Sequence, residues 1–168
     1  GDDHHGRDRR DVSALGADDL AWADMAFISG MTIQAESAGQ IIGRCKDAGL
    51  TVVAGGPMFT TEPERFADVD HVILNEAELT LPPFLDDLAK GRAGRCYGTD
   101  EFADIRESPP PLWELVDMRL YASMIVQFSR GCPYNCEFCS PFERWGKRAL
   151  FKTADQILAS IARFCERT

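Results

Sequence analysis

Short apolar runs alternate with longer stretches of mixed polarity along the chain, and this alternation predicts strands separated by helices. The apolar runs are four or five residues long and carry large, often β-branched side chains with little polar alternation. Runs of this kind are typical of strands that are covered on both faces. Strands are therefore predicted at Ala26–Ser29, Leu50–Ala54 and His71–Leu74.

The segments between these strands predict helices. Apolar side chains recur at helical spacing within residues 36–48, and Gly49 follows where a helix would end. A short acidic helix is expected around Glu62–Phe66. A third, amphipathic helix is expected over Leu79–Lys90, with Thr80 as its possible N-cap and a glycine directly after it.

Strands and helices in this order predict βαβ units, and hence an α/β domain with a doubly wound parallel sheet of the Rossmann-like or flavodoxin-like class. This domain is assigned to residues 1–107, and we expect it to be incomplete at its N-terminus, without its first strand. Residues 108–122 are rich in proline and are expected to link it to a second domain, residues 123–168. The second domain is expected to begin with a strand at Met124–Phe128.

Composition narrows the class of protein. Of the 168 residues, 45% are hydrophobic and 27% are charged, which is typical of a soluble globular protein. The formal net charge of −9 disfavours a nucleic-acid partner, because phosphate binding depends on clusters of Lys and Arg. No apolar run approaches the ~20 residues of a transmembrane helix, and the polar N-terminus lacks the apolar core of a signal peptide. A small molecule or an organic cofactor is the expected partner.

Three of the six cysteines lie on one short stretch, as Cys132-x-x-x-Cys136-x-x-Cys139. Thiolates this close together can hold an iron–sulfur cluster, and three of them leave one iron of a [4Fe–4S] cluster open to a small molecule. Two alternatives remain: three unliganded thiols, or a zinc site completed by a fourth ligand such as Cys96, Cys165 or a histidine. Cysteines grouped for metal rather than for disulfides indicate a reducing, cytoplasmic compartment.

The segment Ser129-Arg130-Gly131-Cys132-Pro133-Tyr134-Asn135-Cys136-Glu137-Phe138-Cys139 resembles the cluster loop of radical S-adenosylmethionine (SAM) enzymes. In those enzymes the loop follows the first strand of a partial (β/α)6 barrel. The resemblance implies that the three cysteines bind a [4Fe–4S] cluster, with the amino and carboxylate groups of SAM on the fourth iron. It also implies that Phe138 lies near the adenine, and that an electron donor such as flavodoxin or ferredoxin reduces the cluster.

Ligands of open α/β sheets bind at the carboxyl ends of the strands, and three such ends are readable here. They are Ser29–Thr32, Gly55–Thr60 and Asn75–Glu78, and glycines in the first two would let a bulky planar ligand approach the backbone. Ahead of the cysteine loop, these ends resemble the cobalamin-binding domain that precedes the barrel in one class of radical SAM proteins. The resemblance implies cobalamin contacts from Ser29, Met31, Thr32, Gly55, Gly56, Pro57, Thr60, Asn75 and Glu76.

The segments Asp19–Asp24, Leu74–Pro83 and Pro111–Leu115 are similar to the class B radical SAM methylases, in the branch that includes hopanoid C-2 methylases. This resemblance implies methylation of an unactivated carbon of a small-molecule or lipid substrate, by way of a 5′-deoxyadenosyl radical and methylcobalamin. Two alternatives stay open. One is a radical SAM oxidoreductase or cyclase that does not use cobalamin for methyl transfer, and the other is a non-catalytic cofactor-binding fragment. No residue is assigned a catalytic role.

Only 36 residues follow Cys132 in the 168-residue chain, whereas an eight-unit (β/α) barrel takes ~250 residues. The chain is therefore expected to hold the first βα unit of a truncated barrel and to be inactive by itself. A last helix is predicted at about residues 153–166, with Thr153 as its N-cap. We expect its apolar face to be poorly buried; the face carries Ile157, Leu158, Ile161 and Phe164.

Overall fold

A computed structural model gives the fold, and the structure describes residues 15–115, 123, 125–134, 136 and 149–166. The chain divides into two compact units, Gly1–Phe102 and Ala103–Thr168. The predicted domain limits, with a linker at residues 108–122, stay a prediction, because part of that segment lies outside the described residues.

The first unit is a parallel sheet with helices in its crossover connections. Its four strands lie in chain order across the sheet, and every neighbouring pair is parallel. The predicted α/β class with a parallel sheet is therefore confirmed. The strands are β1 Met25–Ser29, β2 Thr51–Gly55, β3 His71–Ile73 and β4 Cys96–Tyr97; the helices are α1 Ala17–Trp22, α2 Ala35–Asp47, α3 Pro57–Thr61 and α4 Ala77–Ala89, with 3-10 turns at Thr32–Gln34 and Pro63–Phe66.

Alternate residues of the central strands face opposite sides, so the sheet has a core on each face. On one face, Val52 and Ala54 pack with buried residues of α2 and α3, among them Ile42 and Phe59. On the other face, Val53 and Ile73 pack against Phe84, which is fully buried and comes from α4. The apolar central strands were predicted to be covered on both faces. The helices that pack on the two sides of the sheet agree with this prediction.

The predicted helix ends agree best with the structure where a particular residue type, such as glycine, ends the helix. α2 ends at Asp47, and Gly49 follows with a φ of 80°, the left-handed conformation that glycine adopts without strain. The N-cap prediction for α4 is wrong: Glu76 occupies that position, and Thr80 lies inside the helix. The Thr80 hydroxyl donates to the carbonyl oxygen of Glu76, four residues back, as threonine does within helices.

Three other predictions for the first unit need correction. Among the described residues β1 pairs with β2 alone, and Phe27 keeps 59% of its surface exposed, so β1 is not the buried strand that was expected. The short helix α3 begins at Pro57, inside the segment interpreted as a strand-end loop, because proline is favoured in the first turn of a helix. β4 lies in a part of the first domain for which no strand was predicted, because its two residues are too few to give a pattern.

The second unit contains a short antiparallel pair of strands, β5 Ser129–Gly131 and β6 Ala149–Phe151. The strand predicted at Met124–Phe128 is wrong for residues 125–128, which are not in a strand, and Met124 lies outside the described residues. Residues 129–131 form a strand because they pair with β6, which comes later in the chain. The sequence around β5 gives no sign of this partner. A strand that opens a (β/α) barrel would pair in parallel, so the truncated barrel stays a prediction.

The last helix, α5 Ala154–Cys165, forms as predicted. Thr153 is its N-cap: the hydroxyl accepts the N–H of Gln156, and the Gln156 side chain accepts the N–H of Thr153 in return. The expected poor burial of the apolar face is confirmed at two of its positions, since Leu158 is 62% and Ile161 is 40% exposed. Within this unit the Phe164 ring packs edge-on against Trp113, which lies in a 3-10 turn at Trp113–Leu115.

Candidate functional site

The loops after β1 and β2 meet at the carboxyl edge of the sheet. The N–H of Met58 donates to the carbonyl oxygen of Gly30 at 3.2 Å, which ties the start of α3 to the end of β1. The Ser29 hydroxyl lies beside Gly56, only 2.5 Å from where a Cβ of that residue would be. The structure therefore brings together two of the three predicted strand ends.

The two glycines after β2 serve contacts between strand ends. A Cβ on Gly55 would lie 2.9 Å from the carbonyl oxygen of Ile73 in β3. Gly56 has a φ of 89°, and its missing Cβ leaves the space that the Ser29 hydroxyl uses. The sequence argument assigned these glycines to close approach of a ligand, but at both positions the close neighbour is the protein itself.

Pro57 starts α3, and the residues that follow it belong to the core. Met58 and Phe59 are fully buried, so they anchor α3 on the sheet. Thr60 lies on the same helix and is half-buried. Of the predicted contacts on this segment, Thr60 is the one whose side chain reaches another strand end.

Asn75 connects the loops after three strands. It has a φ of 66° and is the one non-glycine residue with positive φ among those described. Its N–H donates to the Thr60 hydroxyl oxygen at 3.0 Å, and its side-chain Nδ2 donates to the carbonyl oxygen of Thr99 at 2.7 Å. We call Thr60, Asn75 and Thr99 the strand-end tie. Sequence reasoning missed Thr99 because β4, which precedes it, was not predicted.

Glu76 is buried, with 3% of its surface exposed. It caps α4, and its carbonyl oxygen accepts the N–H groups of Leu79 and Thr80. The side chain has almost no surface to offer a ligand, although it was among the predicted contacts.

The end of β1 presents the most open part of this edge. Ser29 and Thr32 are exposed, Met31 is 59% exposed and Ile33 is 94% exposed. The N–H of Met31 donates to the Gln34 side chain at 2.8 Å, which holds this turn in place. Exposed apolar and polar side chains therefore lie together at the end of β1.

The cysteine loop begins directly after β5. Gly131, the last residue of β5, has a φ of 85°, a conformation that favours glycine. Cys132, the next residue, is half-buried, and Cys136 is exposed. Cys139 and Phe138 lie outside the described residues. Within the described part of the chain, no three His, Cys, Asp or Glu side chains are grouped to hold a metal ion. The three cysteine ligands and the adenine contact all stay predictions.

The remaining cysteines behave as ordinary side chains. Cys45 is 2% exposed, and its burial raises the pKa of the thiol, against the opposing effect of the Arg44 charge. Cys96 and Cys165 are exposed and form no disulfide. Cys45 contributes to the α2 core, as expected for a cysteine that stands alone in the sequence.

Comparisons with known proteins find relatives whose names describe methyl transfer. An uncharacterized methyltransferase of Synechocystis is 37% identical over 142 residues, which cover 83% of this chain and 26% of that protein. The hopanoid C-2 methylase of Rhodopseudomonas palustris is 31% identical over 92% of this chain and 30% of its own length. Bacteriochlorophyllide d C-8(2)-methyltransferase of Chlorobaculum tepidum is 29% identical over 69% and 28%. These relatives support a methylase-like family, which is the family that the sequence resembles.

The chain spans about a quarter to a third of the length of these relatives. No family model and no solved structure matches it. Among the described residues, no helix combines the length and apolar character that crossing a membrane requires.

Proposed function

We propose that this chain is the cofactor-binding part of a cobalamin-dependent radical SAM methylase that acts on an unactivated carbon. The observation that carries the proposal is a combination of two features in one chain. The cysteine spacing of a radical SAM cluster loop occurs here together with methylase-named relatives that align over most of the sequence.

The proposed cluster ligands are Cys132, Cys136 and Cys139. When bound, the cluster supplies the electron that cleaves SAM into methionine and a 5′-deoxyadenosyl radical, and a methylated corrinoid supplies the methyl group. The task of this chain is to bind and orient. Gly131 ends β5 directly before the loop, with a φ that favours glycine, and Phe138 is the proposed contact to the adenine.

The proposed corrinoid site is the carboxyl edge of the four-stranded sheet. Parallel strands place their carboxyl ends at one edge, and ligands of this fold class bind there. Met31 and Thr32 offer exposed apolar and polar surface at the end of β1. Asn75 is half-buried and offers a side-chain amide whose Nδ2 donates to the Thr99 carbonyl oxygen, while its backbone N–H donates to the Thr60 hydroxyl oxygen. Gly55, Gly56 and Pro57 shape this edge through their contacts with neighbouring strand ends, and Ser29 takes part in the same packing.

The cluster part of the proposal is tested by anaerobic reconstitution with iron and sulfide, followed by counting both per chain. We expect about four irons and four sulfides per chain. Replacing Cys132, Cys136 or Cys139 singly by alanine should abolish the intact cluster, and the matched replacement Cys96→Ala should leave the iron content unchanged. Zinc in place of iron, or full iron retention in the three variants, would contradict the assignment.

The methyl-transfer part is tested with SAM, a chemical reductant and hydroxocobalamin, using a protein that contains this chain in its full-length form. We expect 5′-deoxyadenosine whenever the cluster is loaded, and a methylated product when the corrinoid is also supplied. Product that is oxidised or cyclised but not methylated would favour the oxidoreductase or cyclase alternative. Cofactor binding with no 5′-deoxyadenosine would favour a non-catalytic module.

A further inference from the structure

The backbone of Asn75 is held in a conformation that residues with a Cβ seldom adopt. Its φ of 66° lies in the left-handed region, where glycine is comfortable and asparagine is tolerated better than most other residues. The loop joins the end of β3 to the start of α4, so this conformation sets the direction in which the chain leaves the sheet. A side chain that stabilises it therefore controls where the Asn75 amide lies.

Thr60 supplies that stabilisation from a different strand end. Its hydroxyl oxygen accepts the Asn75 N–H at 3.0 Å, across 15 residues of sequence. Thr60 is itself fixed, because its own N–H donates to the carbonyl oxygen of Gly56 at 3.0 Å and α3 is anchored by the buried Met58 and Phe59. The left-handed residue is thus attached to a rigid helix.

The Asn75 side chain is held at one end and open at the other. Nδ2 donates to the carbonyl oxygen of Thr99 at 2.7 Å, and among the described residues Oδ1 has no hydrogen-bond partner. An amide whose nitrogen is committed presents its oxygen as an acceptor. Corrinoids carry primary amides around the ring, and these are N–H donors.

We propose that Thr60 is a positioning residue for corrinoid binding: it holds Asn75 so that Oδ1 accepts an N–H from an amide at the rim of the ligand. This inference rests on the proposed function. A direct contact from Thr60 is the rival explanation, because its hydroxyl proton has no acceptor among the described residues. The two differ in one respect, since a positioning role requires the Asn75 side chain and a direct contact does not.

The experiment is a double-mutant cycle on the dissociation constant of hydroxocobalamin, measured by absorbance titration of the whole chain. We expect Thr60→Val to weaken binding about five- to tenfold, the effect of one hydrogen bond, and Thr60→Ser to restore wild-type affinity. Asn75→Gly should weaken binding by a similar factor, because it removes the acceptor while glycine keeps the left-handed backbone. In the Asn75→Gly background, Thr60→Val should have no further effect.

Thr61→Val is the matched control. Thr61 is the next residue of α3, and its exposed hydroxyl donates to the carbonyl oxygen of Pro57, so its loss removes a hydrogen bond that does not involve Asn75. Its affinity should equal that of the wild type, and circular dichroism should show all variants folded. Wild-type affinity in Thr60→Val would overturn the inference and leave the proposed function intact. The same conclusion would follow if Thr60→Val still weakened binding in the Asn75→Gly background. No binding by the wild-type chain would overturn the proposed function, and this inference with it.

Discussion

The Lys46 ammonium lies 2.6 and 2.7 Å from the two carboxylate oxygens of Asp70, so the last turn of α2 is joined to the residue before β3. The same carboxylate accepts the N–H of Val52 at 2.8 Å, and the Asp70 N–H donates to the Val52 carbonyl oxygen at 3.1 Å. Asp70 thus connects α2, β2 and β3 at the amino ends of the strands, opposite the proposed ligand edge.

Replacing Asp70 by alanine should lower the free energy of unfolding of the first unit by about 1–3 kcal/mol. Most of this loss comes from the Val52 N–H, which is left without an acceptor, since a partly exposed ion pair contributes little. Asp70→Asn keeps an acceptor and should lose less. Urea unfolding and hydrogen exchange of the β2 amides would measure both, with the exposed Asp68→Ala as a control expected to change little. Unchanged exchange at Val52 in Asp70→Ala would contradict the assignment.

The stability of the first unit should also depend on pH through Asp70. Burial by itself would raise the pKa of this carboxyl, but hydrogen bonds from Lys46 and from the Val52 N–H, with the charges of Lys46 and His71, hold it below its usual range. Because the folded pKa is lower than the unfolded value of ~3.9, the stabilisation is complete well above that value. It is lost as the pH falls through the folded pKa.

The urea midpoint of the wild type should therefore fall as the pH is lowered from about 5 towards 3, and Asp70→Asn should fall less over the same range. Titrating both proteins at fixed ionic strength tests this, because other carboxyl groups contribute equally to the two curves. Parallel curves would mean that Asp70 has the same pKa in the folded and unfolded chain.

Replacing Gly56 by alanine should destabilise the first unit by about 3 kcal/mol. The new Cβ would lie 2.5 Å from the Ser29 hydroxyl, and the φ of 89° strains any residue with a side chain. Gly49→Ala shows the cost of a positive φ without a clash, because Gly49 has a φ of 80° and no atom lies within 4 Å of the new Cβ, and it should cost about 1–2 kcal/mol.

Two further variants complete this series in thermal or urea unfolding. Gly39 lies inside α2 with nothing within 4 Å of the position of a Cβ, so Gly39→Ala should stabilise by about 0.5–1 kcal/mol. Ser29→Ala removes the clashing oxygen and should recover part of the Gly56→Ala loss. If Gly56→Ala and Gly49→Ala cost the same, the contact between the first two strand ends is not as the structure has it.

Cysteine alkylation should separate Cys45 from Cys96 in the native, metal-free protein. Burial raises the pKa of the Cys45 thiol and also blocks access to it, whereas Cys96 is exposed. Iodoacetamide followed by peptide mass spectrometry should label Cys96 readily and Cys45 only after denaturation. Equal labelling rates without denaturant would show that α2 does not pack on the sheet as described.

The sequence correctly predicted those strands and helices that are determined by the residues within them. β2 and β3 are continuous apolar runs, Gly49 ends α2 with a conformation other residues avoid, and Thr153 caps α5 with its own hydroxyl. Each of these signals is local, because the cause and the effect lie within one turn or one strand.

The incorrect predictions concern strands whose structure depends on residues elsewhere in the chain. Phe27 is exposed in the described part of the chain, where β1 pairs with β2 alone, and the sequence of a strand does not show its position in the sheet. β5 depends on its pairing with β6, which follows it in the chain by 18 residues or more. α3 could have been found, since Pro57 after two glycines is a helix-start signal.

The predicted site residues divide in the same way. Ser29, Gly56, Thr60 and Asn75 do meet at one edge, which follows from parallel strands alone. Some of these residues contact a neighbouring strand end, and others face outward. The difference depends on distances of a few ångströms between chain segments, which the sequence does not show. That is why the glycines proved to contact the protein, and why Thr99 was not anticipated.

The order of the strands also bears on how the sheet is made. Met25 pairs with Thr51, Val53 with His71 and Val72 with Cys96, so each strand meets a partner no more than 26 residues earlier in the chain. A ribosome releases the chain from its N-terminus, and β2, β3 and β4 can each join an edge that has already emerged. The sheet can therefore be assembled during synthesis, one strand at a time, with every pairing closed over a short stretch of new chain.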